Sequence, residues 1–124
     1  MKKSLVPVVA VVLAAFTAVA MAQTKTADSA KGKVLTDAKG MTLYTFDKDT
    51  KGKSACSGKC AVNWPPLMAS ADAKAGKGYS VVTRADGGKQ WAYKGKPLYT
   101  WIKDKKPGDV TGDGVNKVWH IATP

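Results

Sequence analysis

The most reactive side chains in this chain belong to two cysteines and a histidine. Cys56 and Cys60 lie in the sequence CSGKC, and His120 is the single histidine. Sulfur and imidazole ligands select copper, so these three residues, with Met41 or Met68, are candidates for a copper site. Two neighbouring cysteines usually form a disulfide in an oxidising compartment, and Cys-x-x-x-Cys differs from the Cys-x-x-Cys of redox and haem-attachment motifs. We therefore predict a Cys56–Cys60 disulfide, with a redox or copper-handling role as the alternative.

The sequence DVTGDGVN is similar to the start of a calcium-binding loop. Asp109, Thr111, Asp113 and Gly114 fall at positions 1, 3, 5 and 6 of such a loop. Position 12, which is a glutamate in calcium loops, is His120 here. Asp-Gly pairs also form turns without any ion. We predict an ion-free turn and no cofactor, with copper and calcium as the less favoured alternatives.

No catalytic set stands out in the sequence. The acidic residues are all aspartates, and no Gly-x-Ser-x-Gly sequence marks a nucleophile elbow. Serines, aspartates and His120 are present, but no spacing among them singles out a triad. A cysteine nucleophile would be consumed by the predicted disulfide. We predict that the protein is not a conventional enzyme.

The chain carries a large excess of positive charge. It has 20 lysines and arginines against nine acidic residues, and Arg84 is the single arginine. Lysine is a hydrated point charge, which suits long-range attraction of anions better than bidentate recognition. An exported protein does not normally meet nucleic acid, so we expect an anionic component of the cell envelope or an acidic protein as the partner. A solvated basic surface without a specific partner is the alternative.

The expectation of export comes from the N-terminus. A basic start is followed by an apolar run over residues 5–20, and the run ends with the small-x-small sequence Ala-Met-Ala. This pattern is typical of a cleaved signal peptide, residues 1–22, and is favoured over a membrane anchor. The mature protein would then begin at Gln23, would not span a membrane, and would be periplasmic or secreted.

The mature chain shows strand patterns and little helical periodicity. Residues 23–31 are small and polar and predict a disordered lead-in, followed by one domain over 32–124. A short helical turn is predicted in CAVNWPPL, near the cysteines, and Pro65 must end it. The fold class is all-β. Strands are predicted near residues 33–36, 41–46, 79–84, 89–93 and 97–102, and in the C-terminal sequence KVWHIA. The sequence DAKG, residues 37–40, predicts a turn, and ADGG and KGKP predict turns at the spacing of a meander.

The chain repeats itself. GMTLYTFDKD, residues 40–49, returns as GKPLYTWIKD at residues 95–104. The first repeat covers about 33–68 and the second about 79–122, and each is too short to bury an apolar face alone. We predict a small two-repeat β-sheet domain whose halves pack about a pseudo-twofold axis. A duplicated ligand site is the less favoured explanation of the repeat.

These residues carry a resemblance to a known family. The motif Y-x-[FWY]-x-x-D occurs as YTFDKD from Tyr44 and as YTWIKD from Tyr99. Together with CSGKCAVNWPPL and PGDVTGDGVNKVWHI, it resembles the secreted repeat family of bacterial envelope proteins, often described as lipoproteins. The resemblance implies an envelope location and a two-repeat β-rich domain, without an established activity. The chain differs from many members in having no cysteine near the apolar run to carry a lipid.

The repeated motifs also supply candidate binding residues. Aromatic residues two apart share one face of a strand, and tyrosine and tryptophan suit either a core or a binding surface. The two motif aspartates either accept hydrogen bonds from loop backbone or line a repeated pocket. The candidates are Tyr44, Phe46, Asp49, Trp64, Tyr99, Trp101, Asp104 and Trp119. The sequence thus predicts an exported, non-enzymatic binding module with a basic, aromatic-rich surface.

Overall fold

A computed structural model describes residues 23–124, and the predicted signal peptide lies outside the described residues. The predicted class is confirmed, because the described chain consists mostly of short antiparallel strands with one five-residue α-helix. A single 3₁₀ turn near the C-terminus adds the rest of its helical structure. In chain order the elements are β1 (Lys25–Ser29), β2 (Gly32–Thr36), β3 (Tyr44–Phe46), α1 (Lys59–Asn63), β4 (Tyr79–Thr83), β5 (Lys89–Tyr93), β6 (Lys96–Pro97), the 3₁₀ turn (Val115–Lys117) and β7 (Trp119–Ile121).

The lead-in predicted to be disordered is a strand instead. β1 pairs antiparallel with β2 along its whole length, from Lys25 opposite Thr36 to Ser29 opposite Gly32. The tight turn between them is held by the Ser29 hydroxyl, which donates to the Gly32 carbonyl, and by a positive φ of 98° at Gly32. Small polar residues suit an edge strand that is mostly exposed, which is why composition alone suggested disorder.

The turn predicted at residues 37–40 is confirmed. The Gly40 amide donates to the Asp37 carbonyl at 3.0 Å, and the Asp37 amide donates to the Met41 carbonyl at 2.9 Å. The Asp37 carboxylate also accepts from the backbone amides of Lys39 and Met41, so the turn is closed by its first side chain. The strand predicted at 41–46 forms over Tyr44–Phe46 only.

The three-stranded sheet β4-β5-β6 confirms the predicted meander. β4 pairs with β5 from Tyr79 opposite Tyr93 to Thr83 opposite Lys89. β6 ends at Pro97, so the strand predicted at 97–102 is shorter than expected, although the Leu98 amide still donates to the Trp91 carbonyl of β5 at 3.0 Å. The residues that follow bond to the first repeat, where the Thr100 amide donates to the Pro65 carbonyl at 2.8 Å.

The two repeats meet at their tyrosines. The Tyr44 amide donates to the Tyr99 carbonyl at 2.7 Å, and the Tyr99 amide donates back to the Tyr44 carbonyl at 3.0 Å. The repeats then exchange segments: β7 of the second repeat pairs with β3 of the first, with Tyr44 opposite Ile121. The equivalent bridge joins Tyr99 to Pro66. This reciprocal pattern is the predicted pseudo-twofold packing, with each half completing the other.

Two apolar clusters fill the interior. One contains Leu35, Leu43, Trp91, Leu98 and Ala122, under the hairpins. The other contains Tyr44, Cys56, Trp64, Tyr99 and Trp119, at the interface of the repeats. The second cluster is built almost entirely from the motif tyrosines and the tryptophan that follows each loop. The main role of the repeated residues is therefore to form the interface between the two halves.

The predicted helical turn is α1. It starts after Gly58, and the Trp64 amide donates to the Cys60 carbonyl at 2.7 Å where the helix ends, immediately before Pro65. The predicted disulfide joins Cys56 to Cys60. Within residues 23–124, no helix combines the length and apolarity that crossing a membrane requires.

Candidate functional site

The aromatic residues of the two repeats form one stacked column. The Trp64 and Trp119 rings stack with centroids 3.7 Å apart and an interplanar angle of 3°. Phe46 stacks on the outer face of Trp119 at 4.2 Å, and Trp101 stacks on Trp64 at 3.9 Å. The pseudo-twofold axis relates Trp64 to Trp119 and Phe46 to Trp101, so each repeat contributes one inner and one outer ring.

The column is core at its centre and surface at its ends. Trp64 and Trp119 are buried, whereas Phe46 and Trp101 are half-buried. Tyr44 packs its edge against Trp64 at 5.4 Å, and Tyr99 packs against Trp119 at 5.2 Å. Edge-to-face contacts such as those of the two tyrosines stabilise beyond the area that they bury. The central rings are therefore structural, and ligands can reach only the outer ones.

Each motif tyrosine bonds to the motif aspartate of the other repeat. The Tyr44 hydroxyl donates to Asp104 at 2.6 Å, and the Tyr99 hydroxyl donates to Asp49 at 2.7 Å. Both tyrosines are fully buried, so these bonds lie in a poorly solvated interior. The exchange of partners between the repeats locks the two halves together.

The two aspartates differ in their surroundings. Asp104 is 6% exposed and also accepts hydrogen bonds from the Thr111 amide and the Thr111 hydroxyl. Asp49 is half-buried and also accepts from the Ala55 amide at 2.6 Å. Burial raises the pKa of Asp49 above the usual aspartate value, against the lowering effect of these hydrogen bonds. Both carboxylates accept backbone hydrogen bonds from their loops, and Asp49 in addition faces an open cleft.

Burial raises the pKa of the Tyr44 and Tyr99 hydroxyls far above the usual tyrosine value, and the neighbouring aspartate adds to the rise in each case. The folded protein therefore holds both hydroxyls neutral. The stability that these raised pKa values contribute is fully present below about pH 10, the pKa of tyrosine in the unfolded chain. It is lost as the pH rises above that value.

We accordingly expect the free energy of unfolding to fall by about 2.7 kcal/mol for each pH unit above about 10, because two tyrosines must ionise when the chain unfolds. Urea unfolding across this range measures the slope, and Tyr44→Phe should halve the tyrosine contribution. The ultraviolet absorbance of tyrosinate provides the check. If all four tyrosines of the folded protein ionise together near pH 10, the assignment is wrong.

Arg84 is a buried charged residue that the sequence analysis did not select as a candidate. Its side chain is 3% exposed, and it joins the β4-β5 hairpin to the disulfide loop. The guanidinium donates to the Cys56 carbonyl at 2.6 Å, to Gln90 at 2.8 Å and to Ser54 at 3.1 Å. The sequence signal for this role is that Arg84 is the single arginine among nineteen lysines. A buried cation that donates several hydrogen bonds in fixed directions requires a guanidinium, which lysine lacks.

The candidate redox and copper ligands lie in separate surroundings. Cys56 is fully buried within the disulfide. His120 is on the exposed face of β7, where its Nε2 lies 2.7 Å from the Asp47 carboxylate. Across residues 23–124, no three side chains of His, Cys, Asp or Glu come close enough together to hold a metal ion.

The aspartates of the calcium-like sequence accept hydrogen bonds from backbone amides. Asp109 accepts hydrogen bonds from the amides of Lys105 and Lys106, which lowers its pKa. Asp113 accepts from the Ile121 amide and forms an ion pair with Lys31 at 3.1 Å, and its pKa is also lowered. Asp109 thus closes its own loop, whereas Asp113 connects the loop to β7 and to the turn between β1 and β2.

The charged groups are unevenly paired. Each of the nine aspartates accepts a hydrogen bond or forms an ion pair within the described chain. The described chain has seventeen lysines, since Lys2 and Lys3 precede it, and two of them, Lys31 and Lys33, form ion pairs with carboxylates. The excess positive charge of this part of the molecule is therefore free to face solvent.

The comparison with protein families agrees with this duplicated geometry. A family model described as a secreted repeat of unknown function matches the chain twice, at residues 25–68 and 80–123. The chain belongs to this family. The first match starts at Lys25, at the beginning of β1, so the strand missed in the sequence is part of the family's repeat. The family assignment also makes the protein an exported one. No curated protein and no solved structure gives a significant match.

Proposed function

We propose that this secreted repeat protein is a non-enzymatic binding module of the bacterial cell envelope that attaches to anionic envelope material. The observation that carries the proposal is the pairing asymmetry. Every aspartate carboxylate has a hydrogen-bond or ion-pair partner within the described chain, while fifteen of the seventeen lysines have no carboxylate partner among residues 23–124. A fixed positive field on a small rigid domain attracts anionic surfaces and speeds encounter with them.

The scaffold suits a binding role. The stacked aromatic column, the exchanged tyrosine–aspartate bonds and the disulfide occupy the interior and hold the surface loops in place. A preorganised surface loses little conformational freedom when it binds. We place the protein in the periplasm or on the cell exterior, where anionic lipids and glycans are abundant.

The test is retention of the mature protein, residues 23–124, on isolated cell envelopes at increasing salt. We expect attachment at about 10 mM NaCl and release by about 1 M, because the screening length falls from about 30 Å to about 3 Å over this range. Replacing Lys25, Lys59 and Lys74 by glutamine should move release to lower salt. Attachment that survives 1 M salt unchanged would contradict the proposal.

The same experiment separates binding from the redox or copper-handling alternative. The double variant Cys56→Ser/Cys60→Ser should lose about 2 kcal/mol of stability, since the closed loop is short. It should keep its envelope attachment at temperatures where it is folded. A protein that works through its sulfur atoms would lose function outright in this variant.

A further inference from the structure

A polar cleft opens beside the outer ring of the aromatic column. It has a volume of about 310 Å³ and lies between the chain after β3 and the β5-β6 turn. This volume is at the lower end of the range for small-molecule sites, about 300–1,000 Å³. The lining side chains that matter here are Phe46, Asp47, Asp49, Lys51, Lys94 and Lys96, with Thr45 and Thr50.

We propose that this cleft binds an acidic sugar residue of an envelope glycan. The proposal deepens the proposed function by naming the ligand class and the site. Phe46 supplies an apolar ring against which a sugar face can pack. Lysines donate to a sugar carboxylate, and aspartates accept hydrogen bonds from sugar hydroxyls. The cleft therefore matches a sugar residue that carries several hydroxyls and one carboxylate.

The carboxylates decide between ligand classes. A compact phosphate or sulfate would meet Asp47 and Asp49 as well as the lysines, and like charges repel at close range. Asp47 uses one oxygen, Oδ2, for His120, and its Oδ1 accepts no hydrogen bond from the described residues. That oxygen is free to accept from a hydroxyl. A nucleic acid would need a basic groove with several stacking rings, and this cleft has one ring beside two carboxylates.

The pseudo-twofold axis supplies a comparison within the molecule. Gly95 lines the cleft, and the stem of Lys51 lies across it: a Cβ at Gly95 would be 2.9 Å from Lys51 Cγ. The counterpart of Gly95 in the first repeat is Gly40, where a Cβ would be 3.3 Å from the Pro107 ring. A rigid proline ring covers one glycine and a flexible lysine covers the other.

The two motif aspartates also differ between the repeats. Asp104 is buried beneath its loop, whereas Asp49 lines the open cleft. A duplicated position that is closed in one repeat and open in the other marks the open copy as the site. The tyrosine–aspartate bonds hold both copies in the same geometry, so the difference comes from the loops alone.

The experiment is a titration of the ¹⁵N-labelled mature protein with digalacturonic acid, followed by amide chemical shifts. Lactose, a neutral disaccharide, and sulfate are titrated in parallel. We expect digalacturonic acid to shift the amides of residues 45–51 and 94–96 and to bind more tightly than either comparison ligand. Lys51→Ala/Lys96→Ala should weaken binding about 10-fold, because hydrogen bonds to charged groups are the strong ones.

Two further variants sharpen the result. Lys25→Ala/Lys74→Ala removes the same charge from outside the cleft and should change the affinity less than about 2-fold. Phe46→Leu keeps an apolar contact with Trp119 but removes the ring face, and should weaken binding about 5-fold. Unchanged amide shifts away from the substituted positions establish that each variant is folded.

Several outcomes would overturn the inference. Equal binding of lactose would remove the need for the acid, and equal binding of sulfate would reduce the cleft to an ion site. Shifts spread over all lysine-bearing surfaces, or equal weakening by the two lysine pairs, would show that no specific site exists. In those last cases, salt-dependent envelope retention would still stand, and loss of that retention would reject the proposed function separately.

Discussion

Replacing Trp64 by alanine should lower the free energy of unfolding by about 4 kcal/mol, because it removes a large aromatic side chain from a closed core. Trp64 is 4% exposed and contacts three other aromatic rings: Trp119 and Trp101 on its faces and the edge of Tyr44. A cavity at this position also separates the two repeats, because the column runs across their interface.

The pseudo-twofold relation provides the matched controls. Trp119→Ala should cost about the same as Trp64→Ala, since Trp119 is the symmetry mate and is 2% exposed. Trp101→Ala, at the half-buried end of the column, should cost about 2 kcal/mol or less. Urea unfolding followed by fluorescence measures all three, and Trp64→Phe serves if the alanine variants do not fold. Equal losses at Trp64 and Trp101 would show that the column has no structural centre.

The second large effect is expected at the exchanged tyrosine–aspartate bonds. Asp104→Ala should cost about 3–5 kcal/mol, because it leaves the Tyr44 hydroxyl and the Thr111 amide without this acceptor in a buried site. Asp49→Ala should cost about 1–2 kcal/mol. Asp49 is half-buried, and the Tyr99 hydroxyl keeps a contact with Ser54 at 2.6 Å.

A double-mutant cycle tests which aspartate each tyrosine uses. Tyr44→Phe combined with Asp104→Ala should give an interaction energy of about 1.5–3 kcal/mol, as for a hydrogen bond to a charged group. The matched cycle of Tyr44→Phe with Asp49→Ala, within one repeat, should give less than about 0.5 kcal/mol. A larger coupling within the repeat than between the repeats would contradict the exchange.

That exchange illustrates what a repeated sequence leaves open. Tyr44 and Tyr99 each precede an aspartate by five residues, so the two copies of the motif carry the same information. The pattern is compatible with a bond inside each repeat or between repeats. Only the antiparallel bridge between Tyr44 and Tyr99, which brings the two strands side by side, selects the second arrangement.

Local structural features, by contrast, could be predicted from the sequence. The turn at Asp37–Gly40, the end of α1 at Pro65 and the Cys56–Cys60 disulfide depend on residues within a few positions of one another. β1 was missed for the opposite reason. Its residues are small, polar and mostly exposed, and pairing with β2, rather than any preference of its own, makes it a strand.

For the candidate site too, part was predictable from the sequence and part depended on packing. The aromatic residues and the excess of lysine are properties of composition, and they predicted a basic, aromatic-rich binding protein. Which rings are core and which are surface depended on the stacking of Trp64 on Trp119, because burial is a property of the packed pair. Arg84 shows the same limit, since its partners lie in the disulfide loop and on β5, which are distant in the sequence.

The sequence by itself determined the class, the duplication, the local turns and the disulfide, because each of these follows from neighbouring residues or from their period. The tertiary structure alone decided the exchange of segments, the aromatic column, and the open cleft at Asp49 opposite its closed counterpart at Asp104. These features join residues about fifty positions apart, and two nearly identical motifs acquire different surroundings only when the loops around them are folded.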